Sequence, residues 1–191
     1  GHLADWGLVL LSLVDSPARK KAEAYLEYLG KHDVLTQLRN RAFYAEELNR
    51  LTRKGPWPLS IIAIDMNGLK AVNDEQGHAA GDSMLRRLGE VLAKAVDAPA
   101  CAARIGGDEF TVLLPGMDER SAHALQERIL SLLELNNQFY PGQPISLAMG
   151  VASCHSGDIV EAAIHRADQL MYAEKIRYYQ DKGIDRRRHA D

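Results

Sequence analysis

The chain has 191 residues, the size of one domain with some additional sequence. Its 23 basic and 26 acidic residues give a net charge of −3, which argues against a nucleic-acid coat protein, so we expect no nucleic-acid partner. Hydrophobic residues make up 46% of the chain, enough to form a core. The two cysteines, Cys101 and Cys154, exclude a disulfide framework and a four-cysteine zinc site and favour a reducing, cytoplasmic compartment.

The first thirty residues predict a segment separate from the main body. The chain opens Gly-His, which we interpret as an expression scar before a piece of a longer protein. Residues 8–14 predict a strand and are far fewer than the ~20 that span a membrane, although the parent protein could be membrane-attached. Ser16 and Pro17 predict a helix start, followed by one apolar stripe. The tail of a preceding domain with a linker helix and a local decoration of the main domain are equally favoured. The stripe consists of Ala22, Tyr25, Leu26 and Leu29.

From residue 31 onward the pattern alternates between helices and strands. The order is helix, strand, helix, strand, strand, helix, strand, helix, which predicts an α/β (α+β) fold with a mixed central sheet flanked by helices. A Gly-Gly pair at 106–107 indicates a hairpin. The predicted helices are 40–54, 81–96, one lined by Leu125, Ile129, Leu132 and Leu133, and 159–179; the predicted strands are 59–64, 101–105, 109–114 and 145–152.

The first polar cluster follows the predicted strand 59–64. Asp65 stands at the end of that strand, and Gly68 and Lys70 come soon after. Carboxylate oxygens suit Mg²⁺, and a glycine lets turn N–H groups approach a phosphate. Taken alone, an aspartate that caps the next element is the simpler interpretation.

The second polar cluster, residues 73–82, predicts a loop between two helices. Asn73 and Asp82 carry groups that can read a guanine edge, because a carboxylate accepts its paired N–H donors. Asp82 also suits the N-terminal end of the following helix. Taken alone, this second role is favoured.

The third cluster places Asp108 and Glu109 at the tip of the predicted hairpin, beside the strand that ends at Asp65. Adjacent carboxylates are unfavourable unless a cation neutralises them, and a divalent metal does so. A solvated acidic turn is the alternative, but it does not account for Arg104 and two glycines in the same few residues. The three acids therefore predict a metal site.

The five residues from Gly106 to Phe110 resemble the naming motif of the GGDEF family, the diguanylate cyclases. Four further segments match the family in the same order, and five motifs at family spacing are specific. The resemblance covers residues 31–180, with 1–30 upstream and 181–191 as a basic tail. The matching segments are 32–36 continuing to 40–41, 65–70, the group 73–74, 77–78 and 81–82, and 167–168 with 171–172 and 175.

The resemblance implies a fold similar to nucleotidyl cyclases and polymerase palms. It implies an enzyme, a nucleotidyltransferase of bacterial signalling, that condenses two GTP into cyclic di-GMP and releases pyrophosphate. Two Mg²⁺ or Mn²⁺ ions per site are implied. Their implied ligands are Asp65, the Met66 carbonyl, Asp108 and Glu109; Asp108 and Glu109 are the catalytic acids, with Asp108 assisting deprotonation of the attacking hydroxyl.

The resemblance also assigns residues to GTP. Asn73 and Asp82 match the guanine-reading positions, and Lys70 and Lys175 match phosphate contacts. His78 belongs to the same motif with a mainly structural role, ligand contact being the alternative. Gly106 and Gly107 let the hairpin pass close beneath the nucleotide.

Each domain of the family binds one GTP, so turnover is expected to need an antiparallel homodimer. The upstream helix would then hold two copies together, and an upstream sensor domain would set their orientation. The predicted strand before that helix resembles the exit of a PAS-type sensor domain.

Three departures from the family stand out. Asn67 stands two residues after Asp65, where members of the family often have a second acid. Tyr178 and Tyr179 stand where the family runs to glycine and a basic residue, which removes one phosphate-binding cation unless Arg177 compensates. Residues 97–100 lack the Arg and Asp of the product-inhibition motif, so any feedback is expected at the active site, where cyclic di-GMP would meet the guanine-reading residues.

Three alternatives to the enzyme remain: a domain that binds GTP or cyclic di-GMP without turnover, another nucleotidyltransferase or cyclase, and a structural dimerisation piece. Every motif acid is present, which favours the enzyme.

Overall fold

The computed structural model describes residues 16–183. They form a four-stranded sheet covered by helices, which confirms the predicted α+β class. None of the helices within residues 16–183 is both long and apolar enough to cross a membrane. The elements in chain order are α1 (Pro17–Lys31), α2 (Arg41–Lys54), β1 (Leu59–Met66), α3 (Leu69–Gln76), α4 (His78–Ala95), β2 (Cys101–Arg104), β3 (Glu109–Pro115), α5 (Glu119–Phe139), β4 (Leu147–Cys154) and α6 (Val160–Asp181).

The sheet has the strand order β2-β3-β1-β4, and all three neighbouring pairs are antiparallel. Ile62 of β1 lies opposite Val112 on one side and Val151 on the other. The prediction of a mixed sheet is wrong, because every pair of neighbouring strands in the described sheet is antiparallel. β1 and β2 do run in the same direction, but β3 lies between them, as in a split βαβ unit. In the described part of the chain, parallel pairing is confined to an isolated bridge between Arg39 and Ala103.

β1 is the buried centre of the fold, as its continuous apolar run predicts. Ile62 and Ile64 point into the core formed with α3, α4 and α5, whereas Ile61 and Ala63 point into the core formed with α2 and α6. Because side chains alternate along a strand, Asp65 lies on the α6 side of the sheet. The apolar strand thus carries a carboxylate to the edge of the α6 core.

α6 lies very close to β4. A Cβ added to Gly150 would stand 2.0 Å from the carbonyl oxygen of Ala167, so only glycine fits there. Ala163 and Ala167, one turn apart on α6, are fully buried at this contact. These small residues let the two backbones approach, and α6 then continues past the end of β1.

The predicted start of α1 is confirmed, since the Ser16 hydroxyl accepts a hydrogen bond from the Arg19 N–H at 3.2 Å. Two members of its apolar stripe, Tyr25 and Leu26, are 59% and 67% exposed. The strand predicted at residues 8–14 and the arginines of the tail lie outside the described residues.

The loop predicted over residues 73–82 is wrong. Asn73 lies within α3, and a single residue, Gly77, separates α3 from α4. The φ of +89° at Gly77 lets the chain turn in one step, so the polar residues on either side stay helical. Asp82 lies within α4 and does not cap it, since Gly77 is the N-cap residue.

Candidate active site

Asp65, Asp108 and Lys175 meet at the end of β1. The Lys175 ammonium donates to Asp65 Oδ2 at 2.7 Å and to Asp108 Oδ2 at 3.5 Å. Asp65 is delivered by β1, Asp108 by the β2–β3 hairpin and Lys175 by α6. The side chains of Asp65 and Lys175 are only 8% and 13% exposed, so their charges interact with little solvent screening.

Burial and charge shift the protonation of this group. Burial raises the pKa of Asp65 to about 7; the hydrogen bond from Lys175 opposes this rise and the Asp108 carboxylate adds to it. Burial lowers the pKa of Lys175. The hydrogen bond to Asp65 and the charge of Asp108 raise this pKa by more than burial lowers it, so the net shift is upward. Two carboxylates close together therefore favour a positive charge at this position.

The donor set fits a divalent cation. Asp65 Oδ1 is buried and accepts no hydrogen bond from residues 16–183, which leaves one oxygen of the pair available. Mg²⁺ and Mn²⁺ prefer such carboxylate oxygens. Glu109 does not join the pair, so the described residues bring together two of the three predicted acids and no cluster of three or more His, Cys, Asp or Glu. Although Glu109 is the strand partner of Asp65, its Oε2 would stand 3.6 Å from a Cβ at Gly106, so the carboxylate lies over the hairpin.

A cavity of about 610 Å³ opens beside this group, between the β1–α3 turn and the end of α6. Gly68 begins α3 with a φ of +73°, and its N–H donates to the Tyr179 hydroxyl at 3.2 Å. The residues that line the cavity include Gly68, Leu69, Lys70, Glu75, Asp108, Gln143, Lys175, Tyr178, Tyr179 and Lys182. The predicted phosphate contacts Lys70 and Lys175 therefore share one cavity with Asp108.

The predicted guanine-reading residues lie at the α3–α4 corner, outside the lining of this cavity. The Asn73 side chain packs against Gly81, where an added Cβ would stand 1.8 Å from Asn73 Oδ1. That oxygen is buried and accepts no hydrogen bond from the described residues. Asp82 is half-buried next to Gly81, and His78 is exposed in the first turn of α4. The glycine thus leaves room for the amide.

The hairpin that carries Asp108 is held by Arg104. Its Nη2 donates to the Gly107 carbonyl at 2.9 Å, its Nε to the Gly106 carbonyl at 3.2 Å, and its Nη1 to Asp33 at 3.3 Å. Asp33 and Arg104 belong to two separate motifs of the sequence, and their contact was not predicted. Arg104 lies two residues before the hairpin glycines in the sequence, and this proximity was the available signal for its bonds to the hairpin.

Comparison with known proteins identifies the family. Residues 30–179 match the family described as "Diguanylate cyclase, GGDEF domain". A diguanylate cyclase of Pseudomonas aeruginosa, TpbB, is 33% identical over 179 residues, which are 90% of this chain and 41% of that protein. An uncharacterized signaling protein of Caulobacter vibrioides is 36% identical over 178 residues, 88% of this chain and 22% of that protein.

A crystal structure of the coiled coil and GGDEF domain of DgcB from Caulobacter crescentus, in complex with c-di-GMP, has the same fold. Its TM-score is 0.74 at 23% identity, covering 91% of this chain and 92% of that one. The chain therefore belongs to the GGDEF-domain diguanylate cyclase family, a family of nucleotidyl cyclases. It spans less than half the length of the two curated relatives.

Proposed function

We propose that this chain is a diguanylate cyclase that condenses two GTP molecules into cyclic di-GMP. The observation that carries the proposal is the pair formed by the buried Asp65 and the partly exposed Asp108, bridged by Lys175 at the mouth of a cavity that Lys70 also lines. Such a site combines carboxylates for a metal with ammonium groups for phosphates. The proposed organisation is a GGDEF domain over residues 31–180, preceded by a linker helix that follows an upstream sensor domain.

Within this proposal, two Mg²⁺ or Mn²⁺ ions would be held by Asp65, the Met66 carbonyl, Asp108 and Glu109, and would supply charge neutralisation for the triphosphate. Asp108 accepts the proton of the 3′-hydroxyl that attacks. The hydroxyl oxygen bonds to the α-phosphorus of the other GTP, the bond to the β-phosphate breaks, and pyrophosphate leaves. In the second step the 3′-hydroxyl of the other nucleotide bonds to the α-phosphorus of the first, its bond to the β-phosphate breaks, and a second pyrophosphate leaves as the ring closes.

The remaining residues of the proposed site bind and orient GTP. Lys70 and Lys175 neutralise phosphate oxygens, and Asn73 and Asp82 read guanine at the α3–α4 corner, where the Asn73 oxygen is unpartnered within the described residues. His78 stands next to Gly77 at the same corner. Gly106 and Gly107, exposed at the hairpin, leave space for the nucleotide.

One site holds one GTP, so two copies must face each other, and the exposed stripe of α1 is the proposed means of pairing. Feedback by cyclic di-GMP is proposed to act through Asn73 and Asp82, since residues 97–100 lack the inhibitory Arg and Asp. Calorimetry tests this point: product binding that survives substitution of both residues contradicts it.

A binding module without turnover is the second candidate. Two observations favour it: Glu109 lies apart from the acid pair, and the Gly68 N–H is already bound by Tyr179. Incubation with GTP and Mg²⁺ at several protein concentrations, followed by chromatography, separates the two. Formation of cyclic di-GMP with specific activity that falls on dilution supports the dimeric enzyme. GTP binding without product supports the module.

A further inference from the structure

The Lys175 ammonium is ion-paired with two carboxylates of the protein. It is bound by Asp65 and, at a longer distance, by Asp108, so these carboxylates compensate part of the positive charge that Lys175 offers a triphosphate. The cavity lining includes one further acid, Glu75. Lys70 supplies one cation of the lining, and an anionic ligand as highly charged as a nucleoside triphosphate favours a further one beside it.

The face of α6 that carries Lys175 also carries Tyr178, Tyr179 and Lys182, which follow it by three, four and seven residues. This spacing places them on one side of a helix, and all four line the same cavity. Lys182 lies just past the end of α6 at Asp181, but its backbone stays in the right-handed helical region and its N–H bonds to the Tyr178 carbonyl, so the face continues through it. Arg177, two residues after Lys175, projects about 200° around the helix from it.

Lys182 is held over this cavity by an aromatic ring. Its Nζ stands 5.8 Å from the centre of the Tyr178 ring, within the range of a cation–π contact. Within residues 16–183 the Lys182 ammonium forms no ion pair, so no carboxylate of the described residues neutralises its charge. Tyr179 meanwhile bonds the Gly68 N–H and ties the β1–α3 turn to the same helix.

We infer that Lys182 is a phosphate-binding residue for a nucleoside triphosphate in this cavity, and that Tyr178 is its positioning residue. The inference rests on the proposed function for the identity of the ligand. It assigns the further positive charge of this cavity to Lys182 and not to Arg177.

The test is calorimetric binding of 3′-deoxy-GTP, which lacks the attacking hydroxyl and cannot be condensed, beside GMP and inorganic tripolyphosphate, all with Mg²⁺. We expect Lys182→Gln to weaken 3′-deoxy-GTP and tripolyphosphate by roughly three- to tenfold while GMP changes less than about twofold. Arg177→Gln and Lys54→Gln, on an exposed site at the end of α2, should bind like the unmodified chain.

The positioning role of Tyr178 is tested by comparing a conservative substitution with the loss of the ring. Tyr178→Phe keeps the ring and should bind triphosphate normally, whereas Tyr178→Ala should lose part of the affinity. Combining Tyr178→Ala with Lys182→Gln should add little to the loss from Lys182→Gln alone, because both changes remove one interaction. Full additivity overturns the positioning role.

The outcomes separate this inference from the proposed function. A Lys182-dependent loss for triphosphate with no cyclic di-GMP formed from GTP supports the inference and removes the enzyme proposal. Cyclic di-GMP formation with unchanged triphosphate affinity in Lys182→Gln supports the enzyme proposal and overturns the inference about Lys182. Equal losses for GMP and triphosphate, a loss in Arg177→Gln, or no triphosphate binding by the unmodified chain overturn the inference.

Discussion

Arg104 and Asp33 form an ion pair that joins positions 71 residues apart, with Nη1 of the arginine 3.3 Å from Oδ2 of the aspartate. Asp33 also accepts hydrogen bonds from the N–H and hydroxyl of Thr36, in the turn that follows α1. The same guanidinium holds both hairpin glycine carbonyls. The turn after α1 and the hairpin that carries Asp108 are therefore fixed relative to each other.

Replacing this guanidinium should loosen the hairpin. Arg104→Lys keeps the charge, but a single ammonium cannot reach Asp33 and both carbonyls, so we expect a loss of about 1–2 kcal/mol in the free energy of unfolding. Turnover should fall by more than the decrease in the folded fraction of the protein accounts for. Thermal denaturation and product assays measure both, with Arg50→Lys on exposed α2 as the control. Equal effects of the two substitutions contradict this role.

Asp33 should contribute to the pH dependence of stability. Burial raises its pKa, but the hydrogen bonds from Thr36 and the charge of Arg104 outweigh burial and lower it below 3.8. Since the folded pKa is depressed, the stabilising contribution is complete above the unfolded pKa and is lost as pH falls through the folded value. The melting temperatures of the chain and of Asp33→Asn should differ at about pH 6 and converge as the pH falls through the depressed folded pKa of Asp33. A constant difference across this range refutes the assignment.

The α3–α4 corner gives a prediction for guanine recognition. Gly81→Ala introduces a Cβ where Asn73 Oδ1 now lies, so the amide must turn away. GTP affinity should fall roughly tenfold, since one base contact is worth on the order of 1–2 kcal/mol. Alanine raises helix propensity, so overall stability should change little. Calorimetry with GTP and guanosine measures the loss, and unchanged affinity for both shows that Asn73 does not read the base.

The hairpin acids are expected to be essential for turnover. Asp108→Asn and Glu109→Gln should each reduce cyclic di-GMP formation by at least ~100-fold, the usual scale for losing an acid–base or metal-binding group. Both residues lie at the β2–β3 hairpin, outside the core, with the Asp108 side chain 35% exposed, so circular dichroism should show a folded domain. Glu161→Gln, on an exposed position of α6, is the control. Activity retained in both hairpin variants rules out the metal assignment.

Close packing of α6 on β4 predicts a stability effect. Gly150→Ala forces a methyl group against the Ala167 carbonyl and should destabilise the fold by roughly 1–3 kcal/mol. Gly30→Ala in α1 is a matched control, because nothing lies within 4 Å of its Cβ position and the helix gains about 0.5–1 kcal/mol locally. Urea denaturation compares them; a neutral Gly150→Ala shows that the two backbones can separate without cost.

Local sequence signals predicted most elements but not how they meet. The apolar run of β1 and the Ser16 cap depend on nearby residues, and both are confirmed. The corner at Gly77 was missed because polar residues favour loops, whereas one glycine with positive φ is enough to join two helices. The contribution of Lys182 to the cavity was missed because the helix was predicted to end near Tyr179, so the face it shares with Lys175 was not traced that far.

The contact at Gly150 also fixes the rotation of α6 about its axis. Its backbone cannot turn on the sheet there, so every residue beyond Ala167 has a set angular position. Inserting one residue between Ala167 and Lys175 would turn the following helix by about 100° and carry Lys175 and Lys182 away from the cavity together. A substitution along this stretch leaves the number of residues between Ala167 and Lys175 unchanged, whereas an insertion or deletion of a single residue changes it.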